Sequence, residues 1–270
     1  MGRLARLVML GVVGCAMLAP GSSEAMAVVH RPLAESGPAH IGLSHLTTVG
    51  STNWSGYADT QTTSSYTFVK GSWTQPTATC TSGTRRLFGG GGQYSSFWVG
   101  MDGYSSNTVE QIGTEADCNG RTPSYYAWYE MYPSNSVNLS TTTYPVRPGD
   151  HLTASVSAPG TTFTLTLTDS SEIPNWTKTV SIVSAGAAKS SVEWIAEAPS
   201  LCSWFSCTVA PLTNFGTVSF TNATANGTTA PISAFPDSEL VMVTNQNTVK
   251  ALPSALSNAG NGFSDTWYHS

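Results

Sequence analysis

From Thr162 to Thr168 the chain reads Thr-Phe-Thr-Leu-Thr-Leu-Thr, an alternation of hydroxyl and apolar side chains with a period of two. Successive side chains of a β-strand point to opposite faces, so this pattern makes one face apolar and the other polar. Thr179-Val180-Ser181-Ile182-Val183 and Thr217-Val218-Ser219-Phe220-Thr221 repeat it more briefly. No segment keeps the 3.6-residue period of an amphipathic helix. Short alternating runs separated by Gly, Asn, Ser and Pro predict an all-β fold of antiparallel strands, a sandwich or a barrel. About 220 residues beyond the leader are enough for one domain with a large core. Gly89 to Gly92 lacks the Lys-Ser/Thr ending of a phosphate loop and is expected to be a flexible loop.

The N-terminus reads as an export signal over residues 1–27. Arg3 and Arg6 make a basic start, Leu7 to Ala19 is a short apolar run, and Ala25-Met26-Ala27 fits a small-residue cleavage site. The apolar run is too short to span a bilayer. Residues 28–51 contain three histidines and no clear periodicity, and read as a leader or propeptide ahead of a domain over 52–270. The expected location is therefore extracellular, with no membrane attachment after cleavage.

Removal of the signal takes Cys15 and leaves Cys80, Cys118, Cys202 and Cys207. An even number in an exported chain suggests disulfides. These cysteines lack the paired C-x-x-C spacing of a zinc site. Charged residues make up 10% of the chain, and lysine occurs only at Lys70, Lys178, Lys189 and Lys250. Acid denaturation largely reflects the protonation of paired carboxylates, so few ion pairs leave little to lose at low pH. A net charge of −5 argues against nucleic-acid binding, which needs a basic patch.

Four blocks concentrate polar chemistry on strand-like segments. They are Trp98-Val99-Gly100-Met101-Asp102-Gly103, Thr108-Val109-Glu110-Gln111-Ile112-Gly113, Ala127-Trp128-Tyr129-Glu130-Met131-Tyr132-Pro133 and Ser191-Val192-Glu193-Trp194-Ile195-Ala196-Glu197. Alternation puts Glu193, Ile195 and Glu197 on one face of the last block and Val192, Trp194 and Ala196 on a core face. Two carboxylates on one strand face are unusual in a chain so poor in charge. In this order the blocks closely resemble the glutamic peptidase family (eqolisins), from about Asn53 to about Asn222.

The resemblance implies a curved, two-sheet antiparallel β-sandwich of the concanavalin or lectin-like kind. It implies an acid-acting endopeptidase, active on polypeptides as a monomer, that needs no metal or cofactor. By the match, Gln111 and Glu197 are the catalytic pair, and Trp98, Asp102, Tyr129, Glu130 and Glu193 line or support the cleft. It also implies a short-loop disulfide, Cys202 with Cys207, which leaves Cys80 with Cys118. Glu110 departs from the family, which more often has an apolar residue there; alternation should turn it away from the site.

The residue types suit these roles. A carboxylate can take a proton from water and return it to a leaving amine. A primary amide has two N–H donors and nothing to titrate, so Gln111 can serve an oxyanion at any pH. An acid-acting enzyme needs Glu197 ionised at low pH, so its hydrogen bonds are expected to outweigh its desolvation.

Other readings compete. No G-x-S-x-G or paired Asp-Thr/Ser-Gly motif is present, and Asp150-His151 after Pro148-Gly149 reads as a turn before a strand. Two carboxylates on a β-sandwich would also suit a glycosidase. A carbohydrate-binding sandwich would use Trp128, Trp194 and Trp204 as sugar platforms.

Overall fold

The computed structural model describes residues 26–38, 47–60, 65–81, 92–203, 205–226 and 230–270. Residues 1–25, with most of the export signal, lie outside that range, as do Trp204 and the glycine run up to Gly91. Gly92 opens the short strand Gly92–Gln93.

Strands provide almost all of the regular structure, with one 3-10 turn at Ile232–Ala234 among the described residues. They form the two sheets of a β-sandwich. The first runs Glu35–Pro38, Thr47–Ser51, Asp237–Val243, Trp54–Thr60, Ser191–Glu197, Ser96–Met101, Val109–Asn119, Thr122–Tyr132 and Val137–Asn138. The second runs Trp176–Val183, Thr162–Asp169, His151–Ser157, Phe68–Thr74, Thr217–Ala225, Phe263–Trp267 and Val249–Pro253. Val249–Pro253 also pairs with Asp237–Val243 and so joins the two sheets. Among the described residues, the strands of the two sheets pair antiparallel except Thr47–Ser51 on Asp237–Val243, which is parallel.

The alternation that opens the sequence is visible in both directions. Phe163, Leu165 and Leu167 are fully buried. The hydroxyls between them face outward and meet the next strand, Thr164 with Ser181 at 3.2 Å, Thr166 with Thr179 at 3.2 Å and Thr168 with Thr177 at 3.0 Å. Such cross-strand pairs are the unit of sheet stabilisation. Trp194, Val99 and Ile112 from the first sheet pack with Leu152, Leu165 and Phe220 from the second in one core.

Residues 28–51, aperiodic in sequence, contain ordered strands. Ala27–Val29 pairs with Ser200–Cys202, Glu35–Pro38 with Thr47–Ser51, and Thr47–Ser51 with the first sheet. Ala27–Val29 and Thr47–Ser51 take their order from partners far along the chain, so no local apolar period betrays them. Both disulfides, Cys80–Cys118 and Cys202–Cys207, are formed. The second closes the hairpin that carries Ala27–Val29 as its third strand. No helix among the described residues is long and apolar enough to cross a membrane.

Candidate active site

The outer face of the first sheet has the register of a grid. One row aligns Glu197, Ser96, Glu115 and Tyr126; the next aligns Ile195, Trp98, Gly113 and Trp128; the third aligns Glu193, Gly100, Gln111 and Glu130. Gln111 and Glu197 therefore lie diagonally across neighbouring rows of one face. Gly113 sits between two tryptophans, and a Cβ there would lie 2.3 Å from the Phe97 carbonyl oxygen and 2.5 Å from Trp98 Cβ. Any larger residue would push the Trp98 strand away and open the diagonal.

Glu197 is fully buried. Its Oε2 accepts the Trp98 indole N–H at 2.9 Å. Trp98 meets Trp54 edge-on, with ring centroids 5.0 Å apart, which fixes the indole. Burial pushes the Glu197 carboxyl well above its ordinary range, against hydrogen bonds from Trp98 and the Arg31 backbone N–H. This corrects the expectation that hydrogen bonding would win. The reason is that His30, with its ring 3.2 Å from Glu197 Oε2, covers the carboxyl and removes water from it.

Gln111, also fully buried, donates from Nε2 to the His30 carbonyl at 2.8 Å and to Glu130 Oε2 at 3.2 Å. The same Glu130 oxygen accepts the His30 backbone N–H at 2.9 Å. Glu130 thus holds the amide with its donors aimed at a peptide carbonyl. Burial, reinforced by the nearby Glu197, pushes Glu130 up to about 9.

The structure gathers Trp98, Gln111, Glu130 and Glu197 and separates the remaining candidates from them. Glu193 shares a row with Gln111, with Gly100 between them. Its carboxyl belongs electrostatically with Asp102, Glu110 and Asp59, and burial pushes it well up. Asp102 adopts a positive φ of 69° and accepts the backbone N–H groups of Lys189 and Ser190, so it ties down a loop. Glu110 turns away from Gln111, as alternation requires, and accepts the Ser184 hydroxyl. Tyr129 points to the opposite face and packs against the main core. Trp194 is fully buried and donates to the Lys70 carbonyl, so it offers no sugar platform.

Several site residues went unnoticed in the sequence. His30 inserts its ring between Glu197 and Glu115 and stacks on Trp128, with centroids 3.5 Å apart and planes 4° apart. Glu115 was accessible to reasoning, because alternation from Gln111 places Gly113 and Glu115 on the same face. Asn53 donates to the Arg31 and Pro32 carbonyls and accepts the Ala34 N–H. Nothing local marks His30 or Asn53.

The model of the Peptidase A4 family matches residues 52–262. Among solved structures, the chain is similar to aspergilloglutamic peptidase from Aspergillus niger. The TM-score is 0.54 and the identity 27%, over 65% of this chain and 99% of that one. No curated protein sequence matches.

Proposed function

Since the chain belongs to the Peptidase A4 family and is a glutamic endopeptidase acting on polypeptides, we propose that Glu197 is its general base and Gln111 its oxyanion donor, in an exported, acid-acting enzyme. One observation carries this reading. A single peptide bond, His30–Arg31, has its carbonyl oxygen on Gln111 Nε2 at 2.8 Å, and its N–H lies close enough to the Glu197 carboxyl to favour the ionised form. Those are the two atoms of an amide that change charge during hydrolysis.

The chemistry follows from the geometry. With Glu197 ionised, its carboxylate takes a proton from water as the oxygen attacks the carbonyl carbon. The C=O electron pair moves onto oxygen, which the Gln111 N–H stabilises where charge develops. Protonated Glu197 then gives its proton to the amide nitrogen, the C–N bond breaks, and a carboxylic acid and an amine leave. Trp98 favours the ionised form of Glu197 through its N–H. Glu130 keeps the Gln111 amide from rotating.

The segment around His30 must leave this cleft before a substrate can enter, which supports the reading of 28–51 as a propeptide. The two disulfides accord with export. Hydrolysis of denatured protein at acid pH, after acid incubation of the secreted chain, tests the reading. Glu197→Gln should lower activity by roughly 10²–10⁴-fold, the effect of losing general acid–base catalysis. A folded variant with nearly full activity would refute the assignment.

A further inference from the structure

We propose that Glu115 is the floor of the pocket for the substrate side chain on the acyl side of the cleaved bond, and that it selects histidine there. The inference rests on the reading of Gln111 and Glu197 given above and adds a substrate preference to that site.

Glu115 is a fully buried carboxyl that the proposed chemistry does not use. It stands in one row with Glu197 and Ser96, so it lies beside the dyad on the same sheet face. Asp117, two residues on, shares that face, and the two carboxyls hydrogen-bond to each other. Asp117 also accepts the Ser95 N–H at 3.4 Å. Burial pushes Glu115 well above its ordinary range, and the neighbouring Asp117 adds to it. Two carboxyls buried side by side are costly unless a partner relieves them. Hydrolysis of the peptide bond asks for neither, so the pair calls for a ligand group of its own.

The His30 side chain shows which group fits. Its carbonyl lies on Gln111, so its ring occupies the acyl-side pocket. The ring is flat against Trp128, with centroids 3.5 Å apart and planes 4° apart. Its Nε2 lies 3.3 Å from Glu115 Oε1, and its Nδ1 lies 3.2 Å from Ser96 Oγ. The pocket is therefore a slot with an indole wall, a hydroxyl at one edge and a carboxyl at the other. Flatness favours an aromatic ring, and the two polar edges favour a ring with two nitrogens. Burial pushes the imidazole down and Glu115 up, so one proton serves the contact between them. A histidine that arrives protonated from acid solution need only displace the proton Glu115 already carries. Phenylalanine would stack on Trp128 and leave Glu115 without that partner. An aliphatic side chain would do neither.

The test uses the secreted chain after acid incubation. Three quenched peptides differ only at the acyl-side residue of the cleaved bond: histidine, histidine methylated on Nε2, and phenylalanine. Mass spectrometry fixes the bond that is cut. Wild type should cleave the histidine peptide with kcat/KM at least roughly tenfold above the other two, the effect of one hydrogen bond. The methylated ring still stacks but cannot share a proton with Glu115. In Glu115→Leu the three values should fall within about threefold of one another. Glu115→Gln keeps the shape should the leucine variant fail to fold, and should shrink the preference at least roughly threefold. Each preference is a ratio within one variant, so any effect of the substitution on Glu197 cancels. A wild type that cleaves denatured protein but does not favour histidine, or a folded variant with the wild-type preference, would overturn the pocket while Glu197-dependent cleavage left the dyad standing. A wild type that cleaves no polypeptide, or activity that survives Glu197→Gln, would overturn the dyad and the pocket with it.

Discussion

The indole N–H of Trp98 and Oε2 of Glu197 are joined by a 2.9 Å hydrogen bond across two adjacent strands. It is a bond from a donor that never titrates to a group that must. Its removal should therefore change both the rate and its dependence on pH. Trp98→Phe retains most of the ring and loses the donor. The expected cost in kcat is roughly 10–100-fold, the range for a hydrogen bond to a charged group. The acid limb of the kcat–pH profile should move to higher pH, because the lost bond favoured the carboxylate. A slower variant with an unmoved acid limb would mean that Trp98 only packs.

On the proposed roles Glu130 positions Gln111, whose Nε2 donates to its Oε2, and its own charge is dispensable. With His30 in place burial pushes it up to about 9, and a protonated carboxyl still accepts the Gln111 amide through its carbonyl oxygen. Glu130→Gln, a neutral acceptor of the same shape, should keep kcat within about threefold of wild type. Glu130→Leu frees the amide to rotate and should cost kcat roughly tenfold, one neutral hydrogen bond, with KM less affected. Steady-state kinetics on both variants checks this. Equal losses would point to a need for the carboxylic acid itself.

The fold should be an acid-stable one that loses stability as pH rises. Burial pushes Asp59 to about 9 and Glu110 and Asp265 to about 8, and pushes Glu193 well above its ordinary range. Unfolded carboxyls release their protons near 4. Between there and pH 8–9 the native state holds more protons than the unfolded one, so stability falls with increasing pH. It is fully present below the unfolded value and lost through the folded values. Charged residues are few, and Arg147 pairs with Glu172; His30, beside Glu115 and Glu197, is held neutral by burial. Little is therefore sacrificed on acidification. Thermal midpoints measured across pH should be highest in acid and decline steadily toward neutrality. A maximum near pH 7 would contradict this.

Much of the fold was legible because its cause is local. Thr164, Thr166 and Thr168 alternate with Phe163, Leu165 and Leu167, and the strand they form needs no distant information to be recognised. The same alternation placed Ile195 and Glu197 on one face and Trp194 on the other, as the two packing clusters show. Gln111 and Glu197 were legible through whole blocks whose order resembles a family. Tyr129 was misplaced because block membership does not say which face a residue takes, although alternation from Glu130 would have done so. Asp102 beside Gly103 fits a turn as well as the cleft in sequence, and its positive φ and its bonds to the Lys189 and Ser190 N–H groups make it a turn residue. His30 was invisible for another reason. It sits outside any periodic run, and its partners Glu115, Glu130 and Glu197 are brought to it only by the assembled sheet.

The central claim is that Gln111 and Glu197 act as a unit on one peptide bond. A double-mutant cycle measures that directly. Gln111→Ala alone should lower kcat by roughly 10²–10³-fold with little change in KM, as expected for one oxyanion donor. Glu197→Gln should cost roughly 10²–10⁴-fold. Residues that serve one transition state are strongly non-additive. The double variant, Gln111→Ala with Glu197→Gln, should therefore be about as slow as the slower single variant on denatured protein at acid pH. Losses that multiply, or a Gln111→Ala variant with wild-type kcat, would contradict a shared site.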